Sequence, residues 1–394
     1  MSISEKWLLP EGIDEILPDE ARRLERLRRR LLDLLEAWGY ELVMPPLIEF
    51  LESLLTGTGR DLDLQTFKIT DQLTGRLMGI RADMTPQAAR IDAHYLKRSV
   101  PTRLCYLGSV LRTRPGAFCG SREPLQLGAE LFGHAGYDSD AEILRLALAT
   151  LKTAGIDEVF VGLGHVGPFR TLVKRAGLDR EREADLFEAM QRKSHPEVSA
   201  LLDAWSLGAG DKTKITALVD LHGQVDDVLA RACAVFGADP DFRDVLDGLS
   251  DIARRIRDGL ASRCLYVDLS ELQGYAYYTG AVFSIFIPGL GHAIANGGRY
   301  DHVGSAFGRS RPAVGFSVDL RQLLRHIPPD TDGPRGVFAP AVDDDPGLAR
   351  LISELRTRGE RVVVGLPGAT GAPADYSCDR EIRRGAEGWT IIEG

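Results

Sequence analysis

The sequence contains few cysteines, and their spacing gives them no recognisable structural role. Five cysteines are scattered through 394 residues, and none of them forms a Cys-x-x-Cys or zinc-ribbon pattern. Unpaired, dispersed cysteines are typical of proteins in the reducing cytoplasm. The eight histidines form no His-Glu-x-x-His pair. We therefore expect neither a disulfide scaffold nor a metal site, and no cofactor is indicated.

Long apolar runs and an excess of positive charge are also missing. No stretch reaches about eighteen consecutive apolar residues, the length that a membrane-spanning helix requires. Acidic residues begin at Glu5, and no basic segment followed by an apolar segment opens the chain. The net charge of −9 argues against a broad nucleic-acid-binding surface. We expect a cytoplasmic protein that binds neither membrane nor nucleic acid.

The apolar content of 44% is sufficient for a large core and a smaller companion domain. Leucines recur at helical spacing between Leu24 and Leu35, which predicts an amphipathic helix, and residues 39–46 then predict a short strand. A hairpin follows, and a helix is expected to begin at Thr85-Pro86. The two strands of the hairpin are predicted at residues 67–70 and 77–81. Further strands are predicted at residues 104–111, 125–132, 159–163, 265–269, 281–287 and 292–296.

The pattern between about residues 169 and 261 is helical, which predicts a helical insertion between strands. Mixed antiparallel strands and helices indicate an α+β core. The last part of the chain predicts a strand at 337–339, a helix at 346–358 and a strand at 362–365. The predicted organisation is therefore a core of residues 1–328 and a short C-terminal α/β appendix of residues 329–394.

Two polar residues interrupt the apolar strand predicted at 125–132. Gln126 and Glu130 are four positions apart, so on a strand both side chains lie on the same face. Burying such groups without partners would cost about 1–3 kcal/mol each, which favours a pocket that binds a cationic or amide-bearing ligand. A solvated strand face remains the alternative. Tyr277 and Tyr278 are expected on opposite sides of another strand, and Gly297-Gly298 permits close backbone approach.

Four segments together carry a family resemblance. They are Arg-Ala-Asp-Met-Thr-Pro at 81–86, Arg-Glu-Pro-Leu-Gln-Leu-Gly-Ala-Glu at 122–130, Gly-Tyr-Ala-Tyr-Tyr-Thr-Gly at 274–280 and Gly-Gly-Arg-Tyr-Asp at 297–301. In this order they resemble the catalytic core of histidyl-tRNA synthetase, a class II aminoacyl-tRNA synthetase, over about residues 8–324. The resemblance implies a class II antiparallel sheet with helices, and residues 39–46 are similar to the motif 1 that forms a homodimer interface.

The resemblance also implies a histidine-binding site. Asp83, Thr85 and Gln126 would surround the amino group of histidine, although Asp83 stands where the synthetases typically have glutamate. The imidazole would be recognised by Glu130 and Tyr278. The histidine-binding set implied by the family is Asp83, Thr85, Gln126, Glu130, Tyr277, Tyr278 and Tyr300, in which Tyr300 closes the pocket.

The ATP site of the family is not matched in the same way. Arg112 keeps one motif 2 arginine, but Leu-Arg-Thr-Arg-Pro at 111–115 lacks the glutamate that faces adenine. Gln273 and Gln322 stand where the synthetases have arginines, and Asp319 stands where motif 3 has glycine. Each lost charge-stabilising group typically costs about 10²–10³ in rate. We therefore expect a degenerate ATP site and no catalytic residues.

A histidine pocket beside a degenerate ATP site is similar to the regulatory-subunit family of ATP phosphoribosyltransferase, the first enzyme of histidine biosynthesis. The sequences of residues 54–59 and 61–68 are also similar to those of that family. This resemblance implies a hetero-octamer with four short catalytic subunits, which the chain activates while it takes part in feedback inhibition by histidine. The alternatives are an active histidyl-tRNA synthetase, a histidine-activating paralogue, and an interaction protein whose pocket is vestigial.

Overall fold

The computed structural model describes residues 7–57, 60–115, 121–257, 264–272, 274–275, 277–328, 336–386 and 388–393. The predicted ATP-site residue Gln273 lies outside these residues. Contacts divide the chain into two compact units, Met1–Ile327 and Pro328–Gly394. Within the described ranges, no helix is long and apolar enough to cross a membrane.

The first unit contains twelve of the described α-helices and the second unit contains one. Their bounds are α1 Pro18–Ala37, α2 Leu51–Leu55, α3 Arg60–Gln65, α4 Thr85–Arg90, α5 Tyr137–Ala154, α6 Gly167–Arg175, α7 Arg180–Gln191, α8 His195–Ala204, α9 Ala209–Asp220, α10 Val225–Phe236, α11 Pro240–Ile256, α12 Leu320–Arg325 and α13 Pro346–Thr357. A π-helical turn, Ile91–Leu96, continues α4.

The described strands form three sheets. Their bounds are β1 Glu41–Leu42, β2 Ile48–Phe50, β3 Phe67–Thr70, β4 Leu77–Ile80, β5 Thr102–Ser109, β6 Leu125–Phe132, β7 Phe160–His165, β8 His222–Gln224, β9 Leu265–Asp268, β10 Ala281–Phe286, β11 Ala295–Arg299, β12 Ala313–Asp319, β13 Val337–Ala339, β14 Val362–Val364, β15 Arg380–Gly385 and β16 Gly388–Glu393.

A nine-stranded sheet organises the first unit, in the order β1-β5-β6-β12-β11-β10-β7-β9-β8. The β1/β5 and β7/β9 pairs are parallel, and the other neighbouring pairs are antiparallel. β6 lies between β5 and β12, so most of its side chains are buried. The predicted α+β architecture is confirmed, and residues placed on β6 face the interior of the first unit.

The core of this unit is built from amphipathic helices packed on the sheet. α1 buries Leu24, Leu27, Leu31 and Leu35 on one face, at the spacing that brings residues of a helix to the same side. Pro18 occupies its first turn, where the missing amide hydrogen costs nothing. α5 packs against α1, α11 and β12. Helix α5 therefore links α1 and α11 to the sheet strand β12, which borders the site.

The section between β7 and β9 is mainly helical. Helices α6 to α11 fill it, and the three-residue strand β8 extends the edge of the main sheet beside β9. β8 was not predicted, because a three-residue strand of His, Gly and Gln carries no alternating β-branched signal.

The second unit contains a four-stranded sheet in the order β14-β13-β15-β16. The predicted strand, helix and strand correspond to β13, α13 and β14, and α13 begins at an Asp345 cap that accepts two backbone hydrogen bonds. β15 and β16 were missed, because β15 reads Arg-Glu-Ile-Arg-Arg-Gly and its charges favour a loop assignment.

In the first unit β2, α2 and α3 were not predicted either, and two further differences concern strands of the main sheet. β12 was not predicted as a strand, because it is buried between β6 and β11 and its small residues do not alternate with polar ones. The strand expected at 292–296 is displaced to Ala295–Arg299, because Gly297 and Gly298 are paired in the sheet with β10 and β12. Gly298 allows the close approach that was expected: a Cβ there would lie 2.9 Å from the Tyr278 ring.

Candidate functional site

A cavity of about 1090 Å³ opens in the first unit above strands β6, β11 and β12. The beginning of α4, the turn that carries Tyr277 and Tyr278, helices α3, α6 and α7, and residues 302–306 also contribute to its lining. Asp83, Thr85, Glu130, Tyr277, Tyr278 and Tyr300 line it, together with Arg112. The structure therefore brings six of the seven residues of the expected histidine set to one cavity, from segments that are far apart in the chain.

Glu130 lies at the centre of the cavity floor and is 1% exposed. Its carboxyl group accepts a hydrogen bond from Tyr106 Oη at 2.8 Å and another from the hydroxyl of Tyr300. Thr85 Oγ1 lies 2.8 Å from Tyr106 Oη and extends this chain of hydrogen bonds. Gly315 faces Glu130 across the β6/β12 pair, and a Cβ at that position would lie 1.5 Å from Glu130 Oε2. Only glycine leaves space for this carboxyl group.

Burial raises the pKa of Glu130 to about 8, although the hydrogen bonds from Tyr300 and Tyr106 act in the opposite direction. A carboxyl group with this pKa carries a proton for much of the time at neutral pH. It can donate or accept a hydrogen bond, and a cation placed beside it would favour its charged form. These properties suit a ligand with an ionisable ring or amine.

Gln126 supports the cavity wall from beneath. Its Oε1 accepts a hydrogen bond from the backbone of Met84 at 3.0 Å, and its Nε2 donates to Asp83 Oδ1 at 2.7 Å. Asp83 Oδ1 also accepts from the backbone of Thr85 at 3.0 Å. Gln126 and Glu130 do share one face of a buried strand, as their spacing predicted. Gln126 orients Asp83, whose carboxylate lines the cavity.

The two tyrosines of the 274–280 segment do not lie on a strand, so the prediction that they occupy opposite faces was wrong. They belong to the turn before β10, and their rings meet edge to face at 5.3 Å. Tyr277 also stacks on Tyr300 at 5.0 Å. Among the described residues, the buried hydroxyl of Tyr277 has no hydrogen-bond partner. A turn is compact enough to point both rings at the same cavity.

The Gly-Gly-Arg-Tyr-Asp signature combines a structural role and a binding role. Tyr300 faces the cavity, whereas Arg299 points away and pairs with Asp140 at the beginning of α5. Asp301 accepts a hydrogen bond from the backbone of Ala313 at 3.0 Å and fixes the beginning of β12. The signature thus anchors α5 to the sheet and at the same time positions Tyr300.

The residues of the expected ATP site lie in different surroundings. Arg112 lines the cavity, and its Nε donates to the carbonyl of Ala82 at 3.3 Å. Asp319 is the N-cap of α12 and accepts backbone hydrogen bonds from Leu125 and Arg321 at 3.1 and 3.0 Å. Gln322 is buried on α12 and contacts His292. Neither Asp319 nor Gln322 is among the described residues that line the cavity.

Sequence reasoning missed Tyr106, the residue that joins Glu130 to Thr85. It lies on β5 opposite Gly128, whose missing side chain leaves room for the Tyr106 ring. An isolated tyrosine in an apolar strand gives no sign that its hydroxyl meets a carboxyl group of the next strand. The helical residues Arg170, Arg180 and Glu183, which line one side of the cavity, were also missed. Their local sequence does not show that the helices pack beside this cavity.

Comparisons with known proteins are consistent with this geometry. The family described as histidyl-tRNA synthetase matches residues 12–323, and the ATP phosphoribosyltransferase subunit HisZ C-terminal domain matches residues 334–392. A protein of Thioalkalivibrio sulfidiphilus named ATP phosphoribosyltransferase regulatory subunit is 53% identical over 395 residues, which cover 100% of both chains. The chain belongs to the ATP phosphoribosyltransferase regulatory subunit family. A member from Chromohalobacter salexigens is 50% identical over 99% of each chain.

Solved structures confirm the predicted class II synthetase-like fold of this regulatory-subunit family member. The structure of an ATP phosphoribosyltransferase regulatory subunit/histidyl-tRNA synthetase from Bacillus halodurans C superimposes with a TM-score of 0.84 at 27% identity, covering 97% of this chain and 98% of that chain. Histidyl-tRNA synthetase from Nostoc sp. PCC 7120 gives a TM-score of 0.78 at 20% identity, covering 98% and 97%.

The raised pKa of Glu130 predicts how the stability of the protein depends on pH. Because this pKa lies above its ordinary value of 4.5, the folded chain binds the proton more tightly than the unfolded chain does. The stabilisation from this proton is complete when the pH is below the ordinary pKa of 4.5, and it is lost as the pH rises to about 8. The loss corresponds to about 1.4 kcal/mol per pH unit over this interval. Replacing Glu130 with glutamine is expected to remove this slope in urea unfolding at pH 5 to 8.

Glu142→Gln is the matched control for this measurement. Burial acts to raise the pKa of Glu142, but the hydrogen bonds from Arg103 and Tyr40 outweigh it, and the pKa is lowered. The stabilisation that ionised Glu142 provides is therefore present above its ordinary pKa of 4.5 and is lost only at lower pH. The Glu142→Gln variant should therefore keep the wild-type slope between pH 5 and 8. An unchanged slope in Glu130→Gln would show that Glu130 titrates normally.

Proposed function

We propose that this chain is the non-catalytic regulatory subunit that binds and activates the short catalytic subunit of ATP phosphoribosyltransferase. The observation that carries the proposal is the combination, in one chain, of the synthetase-like match at 12–323 and the HisZ C-terminal domain match at 334–392. In this proposal residues 1–328 form the ligand-binding core with its helical insertion at about 169–261, and residues 329–394 form the appendix. The complex would contain four copies of each subunit.

The test is reconstitution with the short catalytic subunit. The two chains should copurify, and the rate of phosphoribosyl transfer to ATP should rise when this chain is added. The chain alone should have no transferase activity. If the catalytic subunit neither binds this chain nor changes its rate, the proposed function fails.

Histidine is the proposed ligand of the cavity. The carboxyl groups of Asp83 and Glu130 suit its ammonium and imidazole groups, because both of these carry exchangeable protons and favour acceptors. The hydroxyl groups of Tyr277 and Tyr278 lie within the same lining. Binding of histidine at this position would make the cavity the sensor for feedback inhibition of the complex.

We further propose that the ATP site is degenerate, with Arg112, Gln273, Asp319 and Gln322 in place of the synthetase pattern. The carboxylate of Asp319 is occupied by the backbone amides at the start of α12, and burial raises its pKa while those amides lower it. A negative group that caps a helix offers nothing to a phosphate. This proposal separates the chain from an active synthetase and from a histidine-activating paralogue.

The degenerate ATP site predicts that the purified chain forms no histidyl adenylate. Two missing charge-stabilising arginines at about 10²–10³ each should reduce the rate by about 10⁴ or more. The measurement is histidine-dependent exchange of labelled pyrophosphate into ATP, with an active histidyl-tRNA synthetase as the positive control. Exchange within about tenfold of that control would overturn the proposal.

A homodimer through the motif 1 region is also proposed. Leu42, Met44, Leu47 and Ile48 are 41–75% exposed, which is a dense apolar surface beside the edge strand β1. We predict that the chain sediments as a dimer at micromolar concentration and that the Met44→Asp/Leu47→Asp double variant sediments as a monomer.

Leu73→Asp is the control for the dimer prediction. Leu73 is 95% exposed in the turn between β3 and β4, so the same apolar-to-acidic change there should leave the dimer intact. A monomeric wild-type chain, or a dimer that survives the double variant, would contradict the interface. A cytoplasmic location is proposed as well, because the cysteines at positions 105, 233, 264 and 378 are free.

A further inference from the structure

The helical insertion forms one wall of the cavity that contains Glu130. Arg170 of α6 and Arg180, Glu183 and Phe187 of α7 all line it, facing the tyrosine turn. These residues belong to helices that lie outside the four family segments. The ligand cavity is therefore shared between the sheet and the insertion.

Tyr275 of the tyrosine turn contacts this wall through hydrogen bonds and ring packing. Its hydroxyl donates a hydrogen bond to Glu183 Oε1 at 2.6 Å, and its carbonyl accepts one from Arg170 Nη2 at 2.6 Å. The Arg170 guanidinium carbon lies 4.8 Å from the centre of the Tyr275 ring. Phe169 and Phe187 contact the same ring at centroid distances of 5.1 and 5.8 Å. Tyr275 is thus held by two helices at once.

Two residues further along the turn, Tyr277 provides a reason for ligand dependence. Its hydroxyl is buried, lines the cavity and has no partner among the described residues. An unsatisfied buried hydroxyl disfavours this conformation of the turn, and a polar ligand that reaches it removes that penalty. A ligand that bonds to Tyr277 only in this conformation of the turn shifts the conformational equilibrium of the turn toward it. The contacts of Tyr275 belong to the same conformation, so the ligand stabilises them as well.

We propose that Tyr275 is a positioning residue that couples ligand binding in the cavity to the helical insertion. Occupancy at Glu130 and Tyr277 stabilises the turn, and the Tyr275–Glu183 hydrogen bond transmits this stabilisation to α7. The rigidity of the insertion then depends on whether the ligand is bound in the cavity. The inference rests on the proposed function, because histidine is the ligand used to test it.

The test is hydrogen–deuterium exchange of the full-length chain with and without saturating histidine. In the wild type, histidine should slow exchange both in β6 and in α7. In Tyr275→Phe, which keeps the ring packing and removes only the hydroxyl, the slowing should persist in β6 and disappear from α7. Calorimetry should show histidine binding about threefold to tenfold weaker in this variant, the loss expected for one hydrogen bond.

Three variants complete the design. Glu183→Ala should behave like Tyr275→Phe, whereas Glu183→Gln keeps an oxygen acceptor and should retain the slowing in α7. Tyr266→Phe removes the hydroxyl of a tyrosine on β9 that does not line the cavity, and it should behave like the wild type. A variant that is merely less stable would exchange faster in both states and would still show slowing by histidine in α7.

Three results would overturn the inference, and they distinguish a failure of the coupling from a failure of histidine binding. If wild-type histidine binding slows β6 but leaves α7 unchanged, or if Tyr275→Phe keeps both the slowing and the affinity, the coupling through Tyr275 is absent while histidine remains the ligand. If histidine slows exchange nowhere and produces no heat, the cavity does not bind histidine, and this part of the proposed function fails together with the coupling.

Discussion

Replacing Glu130 with alanine is expected to raise the histidine concentration that half-inhibits the reconstituted complex by about tenfold to a hundredfold. The reason is the loss of one hydrogen bond to a charged group, which contributes about 1.5–3 kcal/mol. Glu130 lies at the floor of the cavity, where Tyr106 and Tyr300 hold its carboxyl group in place. The measurement is a histidine inhibition curve on assembled complexes of wild type and variant.

Glu130→Gln and Glu158→Ala make this experiment specific. Glutamine keeps the size of the side chain, so a shifted curve in that variant cannot be assigned to a cavity left by alanine. Glu158 is exposed before β7 and outside the cavity lining, so its replacement should leave the curve unchanged. Activation of the catalytic subunit should survive in all three variants. An unchanged curve for both Glu130 variants would move the inhibitory site away from this cavity.

Replacing Asp140 with alanine is expected to lower the free energy of unfolding of the first unit by about 3 kcal/mol, because the buried guanidinium group of Arg299 loses the closer of its two carboxylate partners and keeps only Asp301. Asp140 Oδ2 lies 2.5 Å from Arg299 Nη2, and the two side chains are 4% and 7% exposed. Arg299 also donates hydrogen bonds to Ser139 Oγ, to the carbonyls of His134 and Gly136, and to Asp301 Oδ1 at 3.4 Å. Chemical denaturation at matched protein concentration measures the loss.

Arg192→Ala is the control for the Asp140 variant. Arg192 and Glu197 form an ion pair in which both side chains are about half exposed, and such pairs contribute about 0–1 kcal/mol. Histidine binding should also weaken in Asp140→Ala, because Arg299 precedes Tyr300 and holds the end of β11. A loss below about 1 kcal/mol would mean that solvent or a rearranged side chain replaces the missing carboxylate.

Some parts of this molecule could be predicted because they depend on short stretches of chain. The period of two places Gln126 and Glu130 on one face of β6, and Thr85-Pro86 does begin a helix. The motifs of the four segments identified the family and therefore the fold. Asp319, by contrast, was named only as a residue of the expected ATP site, and its role as the N-cap of α12 emerged from the structure.

Other parts depend on which strands become neighbours, and no local pattern contains that information. Glu130 meets Tyr106, Tyr300 and Gly315 only because β6 is inserted between β5 and β12 in one register. Its raised pKa follows from complete burial, which is a property of the whole packed unit.

The sequence alone therefore pointed to the six residues of the expected histidine set that line the cavity, since residue type and spacing are local properties, but it gave no sign of Tyr106 or of the lining residues on α6 and α7. The tertiary structure decided which groups act on one another. Arg299 finds Asp140 and Tyr275 finds Glu183 across 159 and 92 positions of the chain. Such pairs form because helices and strands pack to bury apolar surface, and this packing brings polar groups together at distances that periodicity does not encode.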